Sequence, residues 1–395
     1  MRWPILLVLA AAVAGAQSAP RVQISHTTES LRGVSAISRE VSWASGTHGT
    51  YLRTTDGGRT WIPRQVPDAA TLDFRAVVAF SADDAFLMSA GPGDQSRIYH
   101  TSDAGQHWQL QFTNTNPKGF FDSMVFWDAK HGAVLGDPVP DESGKLEFEL
   151  LLTDDGQTWH AVPPAQLPPA LEGEGAFAAS NTCLAILPNA WWSGVATTPH
   201  TESTAVEPGQ LDFNIWFGTG GSAARVFHSP DAGKSWQAFD TPINHGSESA
   251  GIFSIAFRNS ADGVIAGGDY KHPDRDGPNL AFTHDGGKTW KLSTIHPQAY
   301  FSAVAYDHNA TADARRDTSR KMRAESRGEK ARPDQTLHRR ILIVGQDFVL
   351  DLQSPNDPKR IVLKKKLASS LNAIGAYPEG GAVVVGSKGS IAFIP

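Results

Sequence analysis

An eight-residue string that returns five times constrains this chain more than any other feature, because a repeat at a steady period dictates an architecture of like units. TTDGGRTW (54–61), TSDAGQHW (101–108), LTDDGQTW (152–159), SPDAGKSW (229–236) and THDGGKTW (283–290) fit (S/T)-x-D-x-G-x-(T/S)-W, with Leu152 and His107 as departures. Each string specifies a tight turn. The aspartate accepts bonds from nearby backbone N–H groups, the glycine takes the left-handed conformation, the hydroxyls close the loop and the tryptophan packs beneath. Asp56, Asp103, Asp154, Asp231 and Asp285 therefore read as parts of turns and not as catalytic acids.

The units around these turns share one layout. In the second, Arg75 to Phe80 and Ala85 to Ser89 are apolar, Arg97 to Thr101 alternates, and Trp108 to Phe112 follows the turn, which makes four short strands. The turn tryptophans fall at 61, 108, 159, 236 and 290. Four-stranded units recurring every roughly 40–50 residues are blades of a β-propeller. The wider third interval contains a polar stretch, 188–210, read as a loop insertion in the fourth blade.

Two further blades lack the string. Tyr300 to Asp307, Arg340 to Gly345, Phe348 to Leu352 and Ile361 to Lys364 make a sixth, with SPNDPKR in place of the turn. Leu371 to Ala376, Gly381 to Gly386 and Ser390 to Ile394 give three strands of a seventh, and the alternating segment Arg21 to Thr27 supplies the fourth. Pairing the termini in this way leaves no open sheet edge. The expected fold is all-β, a seven-bladed propeller with six as the fallback count, in a single domain over 17–395. Residues 309–340, with ten Lys/Arg against five Asp/Glu and almost no apolar side chain, read as a basic disordered insertion in the sixth blade.

Residues 1–16, MRWPILLVLAAAVAGA, have a positive start, a short apolar run and a small-x-small end, so a signal peptide cleaved before Gln17 is expected, with export to a periplasm or the medium. No later apolar stretch of about 20 residues supports stable membrane insertion. A net charge of −6 provides no basic field for nucleic acid. The lone Cys183 has no partner for an intrachain disulfide and reads as a small buried apolar residue.

These residues resemble the Asp-box (BNR) repeat proteins, and more closely the photosystem II stability and assembly factor-like propellers of bacteria. The resemblance spans the mature chain and rests on the five boxes together with WASGTHGTYLRTTDGGRTW, SAGPGDQSRIYHTSDAGQHW, FFDSMVFWD, EGAFAASNTC, WFGTGG, GIFSIAF and GGDY. It implies a secreted seven-bladed propeller that binds other proteins without chemistry. Sialidases also carry Asp boxes. They need an Arg-Ile-Pro arginine near the first blade, where this chain reads LRGVSAIS, and a substrate-clamping arginine set suited to a carboxylate.

In a propeller, loops leading into a blade's first strand and loops joining its second and third strands share one face around the channel, whereas the boxes join the third and fourth strands at the opposite rim. Arg32, Asp73, Arg75, Asp122 and Glu174 come from the first kind of loop, and Asp137, Arg225, Asp269, Tyr270 and Asp347 from the second. The candidate binding set is Arg75, Asp122, Asp137, Glu174, Arg225, Asp269 and Tyr270. The expected function is an exported, monomeric, non-enzymatic binding or assembly propeller that holds a protein or envelope ligand on this face. The competing class is a glycoside hydrolase using two of these carboxylates about 5–10 Å apart over a pocket.

No cofactor or metal is expected. WFGTGG (216–221) lacks the GK(S/T) ending and following helix of a phosphate loop, and His272, Asp274 and Asp276 lack the twelfth-position glutamate of a calcium loop. No H-x-x-x-H pair, G-x-S-x-G elbow or dinucleotide fingerprint occurs.

Overall fold

Seven antiparallel sheets follow one another around the computed structural model, which describes residues 19–188, 213–295, 299–307, 340–352, 358–362 and 370–395. The signal segment and nearly all of both insertions lie outside the described residues. In the first blade the strands are Leu31–Ala36, Ser42–Gly46, Thr50–Thr54 and Ile62–Gln65, and in the second Asp73–Ala79, Ala85–Ala90, Arg97–Thr101 and Gln109–Thr113. The seventh blade consists of Leu371–Ala376, Ala382–Gly386 and Ile391–Ile394, and its outer strand is the N-terminal Arg21–Gln23, paired Arg21 to Phe393 and Gln23 to Ile391. That closing strand is shorter than the expected Arg21 to Thr27. The sixth blade's last strand is Pro358–Val362, displaced from the expected Ile361 to Lys364.

Each blade buries apolar side chains against the next, giving seven clusters among the described residues, one per interface. Trp61 packs between the seventh and first blades with Tyr377, Val383 and Phe393 on one side and Leu31 and Leu52 on the other. Cys183 is buried in the cluster between the third and fourth blades, as a small apolar residue would be.

The boxes are self-contained hydrogen-bonded turns. Thr54 Oγ1 donates to Asp56 Oδ1 at 2.9 Å and accepts the Gly58 amide at 3.0 Å, while Asp56 Oδ1 accepts the Thr60 amide at 2.9 Å. The boxes around Asp103, Asp231 and Asp285 repeat this pattern. The third box is one residue tighter: Thr153 pairs with Asp155, which accepts the Gln157 and Thr158 amides, so Asp155 fills the role expected of Asp154. An aspartate at both positions let the alignment of the string conceal the shift.

Adjacent blades also grip one another's boxes. Gln23 Nε2 donates to the Gly57 carbonyl and its Oε1 accepts from Trp61 Nε1, and Gln111 treats Gly156 and Trp159 in the same way. Tyr51 Oη and Trp216 Nε1 donate to box carbonyls of the next blade, those of Gly105 and Gly286.

Arg340, counted at the end of the basic insertion in the sequence, belongs to the fold. Its Nε donates to Asp351 at 2.9 Å, and its Nη1 donates to Asp307 at 3.0 Å and to the Pro395 carbonyl. Residues 189–212 and 308–339 each join the first and second strands of a blade, Leu184–Pro188 to Phe213–Gly218 and Ala303–Tyr306 to Ile341–Val344.

Candidate functional site

The channel face is organised by bulges. The inner strands of five blades shift register over one residue, and the residues at the shift are Arg32, Arg75, Asp122, Phe253 and Asn372. A β-bulge re-aims the extra side chain, which brings these five to one face. Their sequence signature is an apolar residue, the bulge residue, a small residue and an apolar residue: LRGV, FRAV, FDSM, IFSI and LNAI. That pattern includes Phe253 and Asn372, but FSAV at 301–304 and VVAF at 77–80 share it without a register shift, so it does not mark the bulges by itself.

Arg32 and Arg75, from the first and second blades, share one carboxylate. Arg32 Nε donates to Asp73 Oδ1 at 3.3 Å and Arg75 Nε to Asp73 Oδ2 at 2.8 Å. Burial and the neighbouring Arg75 lower the Arg32 pKa, as expected where two like charges are held together. Guanidinium stays protonated in proteins, so this centre keeps an excess positive charge.

The segment 174–183 lies across the channel. Its Ala178 carbonyl accepts Arg75 Nη1 at 2.6 Å in the second blade, while the adjacent Phe177 meets Phe253 of the fifth blade edge to face, with centroids 4.6 Å apart. Ala176 donates its amide to Asp137 at 2.9 Å, and Asn181 Oδ1 accepts the Met124 amide at 2.7 Å. At its start, Glu174–Gly175 pairs with Gly220–Gly221, which joins the fifth blade's sheet through Ser247–Phe257. WFGTGG is therefore a bend that ends in a strand pair. A side chain at Gly220 would meet Phe177 and the Ala250 carbonyl, which is why that position is glycine.

The seven candidates fall into distinct environments. Arg75 is partly exposed in the shared centre. Asp122 is 1% exposed and carries an Oδ2 without a hydrogen-bond partner among the described residues. Burial, reinforced by Asp137 and opposed by Arg75, raises its carboxyl well above the ordinary range. Asp137 is pushed up to about 6 by burial, against the Ala176 amide bond. Glu174 and Arg225 pair with each other: Arg225 Nε and Nη2 donate to the two carboxylate oxygens at 2.9 and 2.5 Å, and Thr219 and the Leu171 amide complete the shell. Asp269 accepts from Ser249, the Lys271 amide and His272. Burial raises its carboxyl, but these bonds outweigh it and leave it lowered. Tyr270 is 48% exposed beside Phe177 and Phe253. Asp347 occupies the sixth blade's turn between Ile341–Val344 and Phe348–Leu352.

Among the described residues no group of three His, Cys, Asp or Glu side chains is placed to hold a metal ion, and His272 is engaged with Asp269.

A family model described as photosynthesis system II assembly factor YCF48 matches residues 14–119, and one described as the BNR/Asp-box repeat matches 281–292. The photosystem II assembly protein Ycf48 of Synechococcus sp. (strain JA-2-3B'a(2-13)) is 23% identical over 316 residues, 66% of this chain and 90% of that protein. The chloroplastic photosystem II stability/assembly factor HCF136 of Oryza sativa subsp. japonica is 37% identical over 67 residues, which cover 16% of this chain and only 15% of the rice protein. A structure described as YCF48 bound to D1 peptide superposes with a TM-score of 0.57 at 14% identity, covering 96% of this chain and 97% of that one. Streptogramin B lyase, an unrelated activity by its name, superposes at 0.59 with 10% identity over 95% and 97% of the two chains, so likeness at this level speaks for the fold alone. With seven sheets closed by the N-terminal strand and boxes between their third and fourth strands, the chain is a seven-bladed Asp-box (BNR) propeller that resembles the photosystem II stability/assembly factors.

Proposed function

We propose that this protein is an exported, non-enzymatic binding or assembly propeller, a single domain over 17–395, that holds an acidic protein segment on its channel face. The observation that carries this reading is the pair of arginines sharing one carboxylate, a partly exposed site with excess positive charge. Exposed Tyr270 beside Phe177 offers an apolar anchor on the same segment that Arg75 grips. A YCF48 structure described with a bound D1 peptide supports a protein segment as the ligand class. The pattern of residues 1–16 supports export.

A glycoside hydrolase is disfavoured by the same geometry. Glu174 is neutralised by Arg225, Asp269 is enclosed by three donors, Asp122 is buried at 1% exposure, and Asp137 is engaged by the Ala176 amide of the segment 174–183.

Binding to a panel of acidic, neutral and basic peptides by fluorescence anisotropy tests the proposal. Wild type should select acidic peptides. Arg75→Glu and Arg32→Glu should each lose about tenfold or more, the loss expected when a charge contact worth about 1.4 kcal/mol is reversed. Asp285→Ala, in a box on the opposite side, should leave affinity unchanged. Equal affinity in the Arg32→Glu/Arg75→Glu double variant would refute the assignment of this centre.

A further inference from the structure

Two carboxyl groups beneath the segment 174–183 have no cation committed to them. Among the described residues Asp122 Oδ2 is buried without a hydrogen-bond partner, although the Ala178 amide bonds the same carboxyl, and Asp137 accepts the Ala176 amide. The charged and titratable groups facing them are Glu149 on the third strand of the same blade, Cys183 at the end of the segment and Arg75 of the second blade. Glu149 is held by Asn114 and is itself raised by burial. Arg75 is already bonded to Asp73 and to the Ala178 carbonyl. A buried carboxylate without a cation is costly to desolvate, whereas the neutral acid carries no charge and can donate its proton.

We propose that Asp122 and Asp137 act as a proton-accepting pair that couples solution pH to the charge of the Arg32–Asp73–Arg75 centre, so that the centre holds an anion more tightly when the pair is protonated. This inference rests on reading that centre as an anion site. The sign follows from the arrangement. When the pair is ionised, the negative charge of Asp122 lies against Arg75 and cancels part of the field that attracts a ligand, with Asp137 acting on it through Asp122. When the pair is protonated, the excess positive charge of the two arginines is left uncancelled. Burial raises both carboxyls, Asp137 to about 6, so Asp137 exchanges its proton in the mildly acidic range. Linkage makes the effect reciprocal, so anion binding takes up protons. The same side chains also fix the segment across the channel, Asp137 through Ala176 and Arg75 through Ala178, so the proton sits where the segment is anchored.

Infrared titration of the full chain in the protonated-carboxyl region, combined with calorimetric titration using inorganic sulfate as the probe anion, tests the proposal. Sulfate does not itself titrate between about pH 5 and 8. Wild type should retain a protonated-carboxyl signal to about pH 6 or above, diminished in Asp122→Asn and in Asp137→Asn. Arg75→Gln should move its midpoint to higher pH, because a charge that favours ionisation has been removed. Sulfate affinity should fall about tenfold from about pH 5 to 8 in wild type, the effect of one pKa unit of coupling, and should be flat in Asp122→Asn. Absence of the carboxyl signal, a midpoint unmoved by Arg75→Gln, or sulfate affinity independent of pH would each overturn the coupling. Failure of sulfate to bind at any pH, with the carboxyl titration and its Arg75 shift intact, would instead overturn the anion-site reading.

Discussion

At Trp61 the turn pattern and the ring meet in one side chain. It is 1% exposed between the seventh and first blades, and its indole N–H is satisfied by Gln23. Trp61→Ala should cost about 3–5 kcal/mol in chemical denaturation by opening a cavity between blades. Trp290 is only partly buried and donates within its own turn to Gly287, so its alanine variant should cost visibly less. Arg340 is the opposite case, a charged residue whose role the local sequence hides. Its ring of partners, Asp307 and Asp351, is buried, and Arg340→Ala leaves two carboxylates without a cation. A loss of about 3–5 kcal/mol is expected, read as a lowered denaturation midpoint at neutral pH. The sequence counted Arg340 both at the end of the basic insertion and at the start of a strand, because a run of like charges looks solvated until Asp307 and Asp351, 33 and 11 positions away, are seen beside it.

At the level of elements, strand positions were legible because each blade alternates locally between apolar runs and turn residues. Leu371–Ala376 and Phe348–Leu352 fall where the pattern placed them. The closing strand was legible as an alternating segment, but its specificity was not. Gln23 on that strand clasps the first box as Gln111 clasps the third, so the ring is closed by the same device that joins two interior blades. Gln23→Leu and Gln111→Leu should each cost about 1–3 kcal/mol by leaving a tryptophan N–H and a glycine carbonyl unpaired. Deleting Arg21–Gln23 should cost more than either, and should promote self-association by baring the edge of Ile391–Ile394; unchanged melting and a monodisperse deletion variant would refute closure through this strand.

Across the whole molecule, stability depends on pH through opposed groups. The box aspartate Asp103 is lowered to about 2 by the His107 amide and side chain, and Asp285 to about 2 because bonds from Thr289 and Thr283 outweigh burial. A carboxyl depressed in the fold supports stability above its unfolded pKa, and that support is lost as pH falls through the folded value, so the boxes weaken in strong acid. His228, stacked on Trp216 and lowered to about 4 by burial, supports stability that is lost as pH falls from its ordinary value through about 4. Asp137 has the reverse sign. Raised to about 6, it destabilises the fold as pH climbs through that value. Asp137→Asn should therefore gain stability over wild type at pH about 8, and that advantage should shrink as pH falls from about 6 towards about 4, in denaturant midpoints measured across the range. A difference that does not change with pH would show that Asp137 does not titrate there.

The sequence alone determined a count of seven blades, with six as the fallback, the box turns, and which loops share the channel face. Those features rest on contacts between residues a few positions apart, such as Thr54 with Asp56 and Gly58, and they repeat often enough to be read directly. The tertiary structure alone decided how the channel-face side chains pair. Arg32 meets Asp73, Arg75 meets Ala178, and Glu174 is taken out of play by Arg225, all pairs dozens of positions apart or more. Such partners are set by ring closure and by where a bulge aims one side chain across a channel, and a local pattern carries neither the distance nor the direction.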